Sequence, residues 1–274
     1  MPGTPPSRTA MIERALAELR AGRLGAAEHL CGGLLAAAPD DPSAHQLAAT
    51  VAHQLGKLPV AEGWIASSLA MRPHHLPSLV LGGQIARAGG DFALAAARFQ
   101  SASELAPNQP EIAFQLGQCL RSLGRLDEAI TALRRSLSLA PAQFEVRLIL
   151  GSCLRQRGEP ELAIAEFERA TGLNRADSRG WFALGNAFDD VRDRDRAIAA
   201  YRMAAQLLPE LPEAHVNLGL DLQHAGDLSA ALDCYRKAMA LRPEMFGRIT
   251  QALTSGKSGQ LWLDFEALRQ SLGG

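Results

Sequence analysis

The chain has 274 residues and a formal net charge of −1, so no global charge draws it to nucleic acid or to an anionic membrane. Aromatics make up 5% of it while Ala, Leu and Gly abound, which favours close-packed helices over a β-sandwich. The cysteines Cys31, Cys119, Cys153 and Cys234 form no C-x-x-C pair, and a chain of this length needs no disulfide staples.

The N-terminus, "MPGTPPSRTA", carries no apolar run and does not read as a secretory signal; residues 1–7 are expected to be disordered. No later segment offers the roughly 18 uninterrupted apolar residues of a membrane span. A soluble, cytoplasmic protein is the expectation. Arginine far outnumbers lysine, present only as Lys57, Lys237 and Lys257, which reads as codon bias.

From residue 8 the chain keeps a period of 34 residues. Proline marks it at Pro39, Pro73, Pro107, Pro141, Pro209 and Pro243, with Arg175 in the one gap. Alanine keeps it without a miss at Ala27, Ala61, Ala95, Ala129, Ala163, Ala197 and Ala231. One glycine phase runs through Gly83, Gly117, Gly151, Gly185 and Gly219, with Ala15 and Ala49 in the first two repeats. A second runs through Gly22, Gly56, Gly90, Gly124, Gly158 and Gly226, with Arg192 as the exception.

Each phase has a physical role. The second glycine ends a helix in a left-handed turn, which costs little without a Cβ. The proline ends the next helix, because it cannot continue the hydrogen-bond ladder. The first glycine and the alanine are small because two helices of a hairpin cross there. Apolar residues at helical spacing, such as Ile130, Leu133, Leu137 and Ala140, fill the seam. Two helices of about 14 residues and two short turns account for the period. Around Arg175 and Arg192, where two markers are missing, a looser or differently angled junction is expected, with Ser178 capping the next helix.

After Pro243 the period breaks. "EMFGRITQAL" has an apolar stripe of Met245, Ile249 and Leu253 and reads as a capping helix that closes the solenoid. "LWLDFEALRQSL" follows, with a final short helix expected from about Asp264 that packs on the cap and buries Trp262. The "SGKS" at 255–258 is not a phosphate loop: Gln251 stands where its leading glycine belongs, and no strand precedes it.

The chemical candidates are few. Cys119 and Cys153 lie one period apart at the same helix phase. Neighbouring helix axes stand about 8–10 Å apart, beyond the roughly 7 Å that a disulfide allows, so both read as small seam residues. The histidines His29, His45, His53, His74, His75, His215 and His224 show no metal-ligand spacing. Asp189, Asp190, Asp193 and Asp195 lack the calcium-loop pattern and read as a solvated turn. No nucleophile–base pair is indicated by spacing. The chain reads as non-enzymatic, with no catalytic residue, no metal and no cofactor.

The motif "WFALGNAF" from Trp181, followed by Ala197, Tyr201, Ala204 and Pro209, resembles the tetratricopeptide repeat family, as do Leu116, Gly117, Leu120, Ala129 and Pro141, with Ser136 in place of the second alanine. The resemblance covers seven repeats, at 8–41, 42–75, 76–109, 110–143, 144–177, 178–211 and 212–245, with residues 246–274 as cap and tail. It implies an all-α fold, an α-solenoid of helix-turn-helix repeats wound into a right-handed superhelix with a C-terminal capping helix. It also implies that the first helices line a concave groove that holds a peptide or partner segment.

Carried over from the family's contact positions, three ladders emerge. An apolar one holds Phe114, Leu148 and Phe182; an amide-rich one holds Gln84, Gln118, Ser152 and Asn186; a cationic one holds Arg87, Arg121 and Arg155. Amides would bond a peptide backbone. Arginines would pair with carboxylates, so the expected partner is a protein or peptide of acidic character. The competing reading is that each arginine only complements a helix C-terminus, worth roughly 0.3–1 kcal/mol. The family's chaperone-tail clamp requires a basic residue where most repeats here are apolar, and is not expected. Two further readings are an accessory to a bacterial sulfotransferase or glycosyltransferase, and homo-oligomeric self-assembly in which the C-terminal tail of one chain fills the groove of another.

Overall fold

The computed structural model describes residues 7–255. They form an all-α solenoid, with no strand among the described residues. Helices alternate between 13 and 14 residues. In the part within residues 1–140 these are α1 (Arg8–Arg20), α2 (Leu24–Ala37), α3 (Pro42–Gln54), α4 (Leu58–Met71), α5 (Leu76–Ala88), α6 (Phe92–Leu105), α7 (Pro110–Ser122) and α8 (Leu126–Leu139). Within residues 141–274 they are α9 (Phe144–Gln156), α10 (Pro160–Leu173), α11 (Ser178–Asp190), α12 (Arg194–Leu207), α13 (Pro212–His224) and α14 (Leu228–Leu241). A 3-10 turn at Pro243–Met245 then leads into α15 (Phe246–Ser255). These two units are treated separately below. In each, odd and even helices pair as hairpins, and each even helix packs on the next odd one within its unit.

The small residues sit where helices cross. All seven phased alanines have 0% exposure. Over each glycine of the first phase lies the side chain found 16 residues later: a Cβ on Gly83, Gly117, Gly151, Gly185 or Gly219 would fall 2.5–2.7 Å from Phe99, Leu133, Phe167, Tyr201 or Tyr235. That is closer than any carbon tolerates, so a single hydrogen lets each aromatic or leucine side chain lie flat on the partner helix. All four cysteines are buried and none forms a disulfide.

The turn glycines Gly22, Gly56, Gly90, Gly124, Gly158 and Gly226 adopt φ between 72° and 91°, and Arg192 holds the same left-handed geometry at φ 61°. The turn therefore survives without its glycine. Helix lengths around the Arg175 and Arg192 exceptions match those elsewhere, so the chain shows no loosening there. The helix cap is Asp177, whose side chain accepts the Arg179 N–H at 3.0 Å; Ser178 is already the first helical residue.

A contact invisible in the sequence ties successive repeats in the second unit. Arg147 Nη2 donates to the Pro141 carbonyl, and Trp181 Nε1 donates to that of Arg175. His215 Nε2 lies against the Pro209 carbonyl, each at 2.9 Å. These three occupy one repeat position. Trp181 thereby secures the turn that lacks its proline.

Ile249 is fully buried, Met245 is half-buried and α15 contacts α13. The Leu253 side chain, the expected helix from Asp264 and the burial of Trp262 lie outside the described residues.

Candidate functional site

In the first unit, five of the ten expected residues fall on two neighbouring odd-numbered helices. Gln84 and Arg87 lie on α5; Phe114, Gln118 and Arg121 lie on α7. Arg87 is exposed and the other four are half-buried. Both arginines sit in the last turn of their helix. Arg87 also reaches across to α7, close enough to the Cys119 thiol to favour its charged form. Burial is the stronger effect and pushes that thiol up. Among the described residues, no carboxylate pairs with Arg87 or Arg121. The side chains of Gln84 and Gln118 likewise make no hydrogen bond there. Amide donors and acceptors, two guanidinium groups and one aromatic edge are thus unspent on a single pair of helices.

In the second unit most of the corresponding residues are committed. Leu148 is buried. Phe182 is half-buried and leans on the Tyr201 ring, with centroids 5.8 Å apart. Ser152 is half-buried. Arg155 is exposed but its guanidinium is paired with Asp190, which raises its affinity for its proton. Asn186 accepts from Asn217 Nδ2 at 3.0 Å. Arg155 and Asn186 are therefore spent within the chain, while their counterparts in the first unit are not.

Around Asn186 lies a polar network that sequence reasoning missed. The Tyr201 hydroxyl stands 2.6 Å from Asp189 Oδ2 and 2.8 Å from Asn186 Oδ1, and receives a 3.2 Å contact from Asn217 Nδ2. Arg248 of the cap donates to Asn217 Oδ1 at 2.9 Å. Asp189 and Asp190 are therefore no solvated turn: they face Tyr201 and Arg155 from the last turn of α11. Asp193 caps α12 by accepting the Arg196 N–H at 3.3 Å, and Asp195 is exposed. Burial and the Asp189 charge push the Tyr201 hydroxyl far up, keeping it a neutral donor. On α13, Asp221 is buried beside Asp189. Desolvation first, then the Asp189 charge, pushes its carboxyl up to about 7, against a smaller lowering by Arg194. The only trace of this in the sequence is the recurrence of Tyr at Tyr201 and Tyr235, whose hydroxyl donates to Gln223 at 3.0 Å.

Among the described residues, no group of three or more His, Cys, Asp or Glu could hold a metal ion, and no helix is long and apolar enough to cross a membrane.

Known proteins agree with this architecture. Tetratricopeptide repeat profiles match residues 12–75, 80–144, 123–179 and 212–245. No curated protein sequence matches the chain. Among solved structures, MamA is 27% identical over 59% of this chain and 95% of its own, with a TM-score of 0.57. The C-terminal part of a repeat-containing protein from Cytophaga hutchinsonii covers 88% of this chain and 99% of its own at 17% identity and a TM-score of 0.74. YrrB, described as a TPR protein with an unusual peptide-binding site, covers 69% of this chain and 96% of its own at 18% identity and a TM-score of 0.59. Repeat period, helical hairpins and profile matches agree, and the chain belongs to the tetratricopeptide repeat family.

Proposed function

We propose that the protein is a non-catalytic scaffold that holds an acidic segment of a partner protein on the α5–α7 face of its first unit. The fold and its relatives support a protein-interaction scaffold; the face and the acidic partner are inferred from the charges. The observation that carries the reading is that, among the described residues, no carboxylate pairs with Arg87 or Arg121, while Arg155 at the same repeat position has one. A guanidinium held in place without a partner is ready to accept a carboxylate in a bidentate way. Gln84 and Gln118 supply donors and acceptors for an extended backbone, and Phe114 supplies an apolar contact.

Charge reversal tests this. The double variant Arg87→Glu, Arg121→Glu should lose the partners that wild-type protein captures by crosslinking pull-down from lysate, with helical circular dichroism unchanged. An unchanged set of partners refutes the role of these arginines. YrrB is a fold relative with a peptide-binding site of its own, which is compatible with peptide capture here.

A further inference from the structure

The network in the second unit leaves one buried carboxyl group weakly partnered. Asp221 sits within α13 with 6% of its surface exposed. Its Oδ2 is enclosed and has no hydrogen-bond partner. Arg194 approaches the other oxygen, Oδ1, no closer than 3.9 Å. Its nearest titratable neighbour is another acid, Asp189, already engaged by Tyr201, and the two carboxyls are joined only through a proton held between them. A buried carboxylate beside a second one is costly unless a donor or a cation comes between them.

Among the described residues, most other charged groups around the pair are already engaged, and His224 on α13 also lines the space beside it. From α9, Arg155 is taken by Asp190; from α15, Arg248 is taken by Asn217. From α12, Arg196 pairs with Asp193 at 2.5 Å and Tyr201 is a neutral donor. From α14, Tyr235 points its hydroxyl at Gln223. Arg192, in the turn before α12, and Arg194, at its start, stand at the rim. Beside the two acids lies a cavity of about 260 Å³ lined by Asp189, Arg192, Arg194, Leu220, Asp221 and His224. Its lining combines two carboxylates and the apolar Leu220 with Arg192, Arg194 and His224.

From this arrangement we infer that the Asp189–Asp221 cavity receives a basic side chain, lysine or arginine, from a bound protein segment. The aliphatic stem lies on Leu220 and the charged head donates to Asp221 Oδ2 and Asp189. An ammonium has three donors and a guanidinium five, enough to satisfy both acids at once. A divalent ion fits poorly, since it seeks about six oxygen ligands and the cavity offers two carboxylates. The two rim arginines oppose entry of a free cation and so favour one delivered on a segment held by further contacts. This site belongs to the second unit and has the opposite charge preference to the arginine face of the first.

The test uses the full chain and simple probes. Nα-acetyl-arginine-N-methylamide and Nα-acetyl-lysine-N-methylamide are titrated to tens of millimolar while Asp carboxyl carbons are followed by NMR. The expected result is a saturable shift at Asp189 and Asp221, and a fall of the Asp221 midpoint by at least half a pH unit for one or both probes. Nα-acetyl-norleucine-N-methylamide, which has no charge, should produce neither. Asp221→Asn, with an otherwise unchanged amide spectrum, should abolish the shift at Asp189. Arg192→Gly should tighten binding about threefold or more by removing one rim charge. No shift with either basic probe overturns the inference and leaves the acids closed by a shared proton. Equal binding of norleucine, or undiminished binding by the Asp221→Asn variant, overturns it as well. None of these outcomes bears on capture by Arg87 and Arg121.

Discussion

Replacing Gly185 with alanine should destabilise the second unit by about 1–3 kcal/mol. The added Cβ would stand 2.6 Å from Tyr201 Cε1 and 2.7 Å from Cδ1, where carbon contacts normally begin near 3.4 Å. Tyr201 is completely buried, and its hydroxyl is tied to Asp189 at 2.6 Å. The ring can yield only by pushing α11 and α12 apart or by giving up that bond. Overpacking of this kind costs about 1–3 kcal/mol, and a strained hydrogen bond about 1 kcal/mol more. The better helix propensity of alanine returns about 1 kcal/mol. Gly63→Ala is the control: it lies inside α4 with nothing within 4 Å of the added Cβ, so it should stabilise by about 0.5–1 kcal/mol. Urea unfolding followed by circular dichroism reads both as shifts of the midpoint in opposite directions. If Gly185→Ala raises the midpoint as Gly63→Ala does, the close approach of Tyr201 is not what selects glycine there.

Arg192 pays left-handed backbone strain at φ 61°, so Arg192→Gly should stabilise by about 0.5–1 kcal/mol net of the unfolded-state entropy that glycine adds; an unchanged or lowered urea midpoint would contradict this. Burial holds the thiols of Cys31, raised to about 11, and of Cys119 in the neutral form, so a thiol reagent at pH 8 should modify them only after unfolding; rapid modification of native protein would contradict their place in the seam. The Asp221 carboxyl is raised in the folded state above its unfolded value near 3.9, so the fold binds the extra proton. Stability should therefore fall as pH rises from about 4 to about 7, and Asp221→Asn should flatten that slope; a slope unaffected by the substitution would contradict the assignment.

The repeat was legible because its markers are positions where only one residue type works. Gly83 through Gly219 and Ala27 through Ala231 reported helix crossings without any knowledge of partners. The exceptions were harder. Arg192 keeps the left-handed turn because strain in one residue costs less than breaking two packed helices. Asp177 caps where Ser178 was expected because the helix starts one residue earlier, a shift that a 34-residue count cannot fix. The candidate site was less legible still. Position placed Arg87, Arg121 and Arg155 on one footing, but pairing separates them. Arg155 meets Asp190 from 35 residues away, and Asn186 meets Asn217 from 31 away. A period tells which residues share a phase. It does not tell which side chains turn toward each other across neighbouring helices, and so the Asp189–Tyr201–Asn217 network stayed hidden.

Arg121 and Arg155 share a repeat position but differ in whether a carboxylate already answers them, so their alanine variants separate partner capture from framework. Titration calorimetry against the acidic segment identified by pull-down, beside urea unfolding of each variant, gives both readouts. A desolvated charged hydrogen bond contributes about 1.5–3 kcal/mol, so Arg121→Ala should weaken binding by at least about tenfold with its unfolding midpoint unchanged. Arg155→Ala should lower the midpoint slightly and leave the affinity within about twofold. Affinity lost at Arg155 and kept at Arg121 would contradict the assignment of binding to the unpaired arginines.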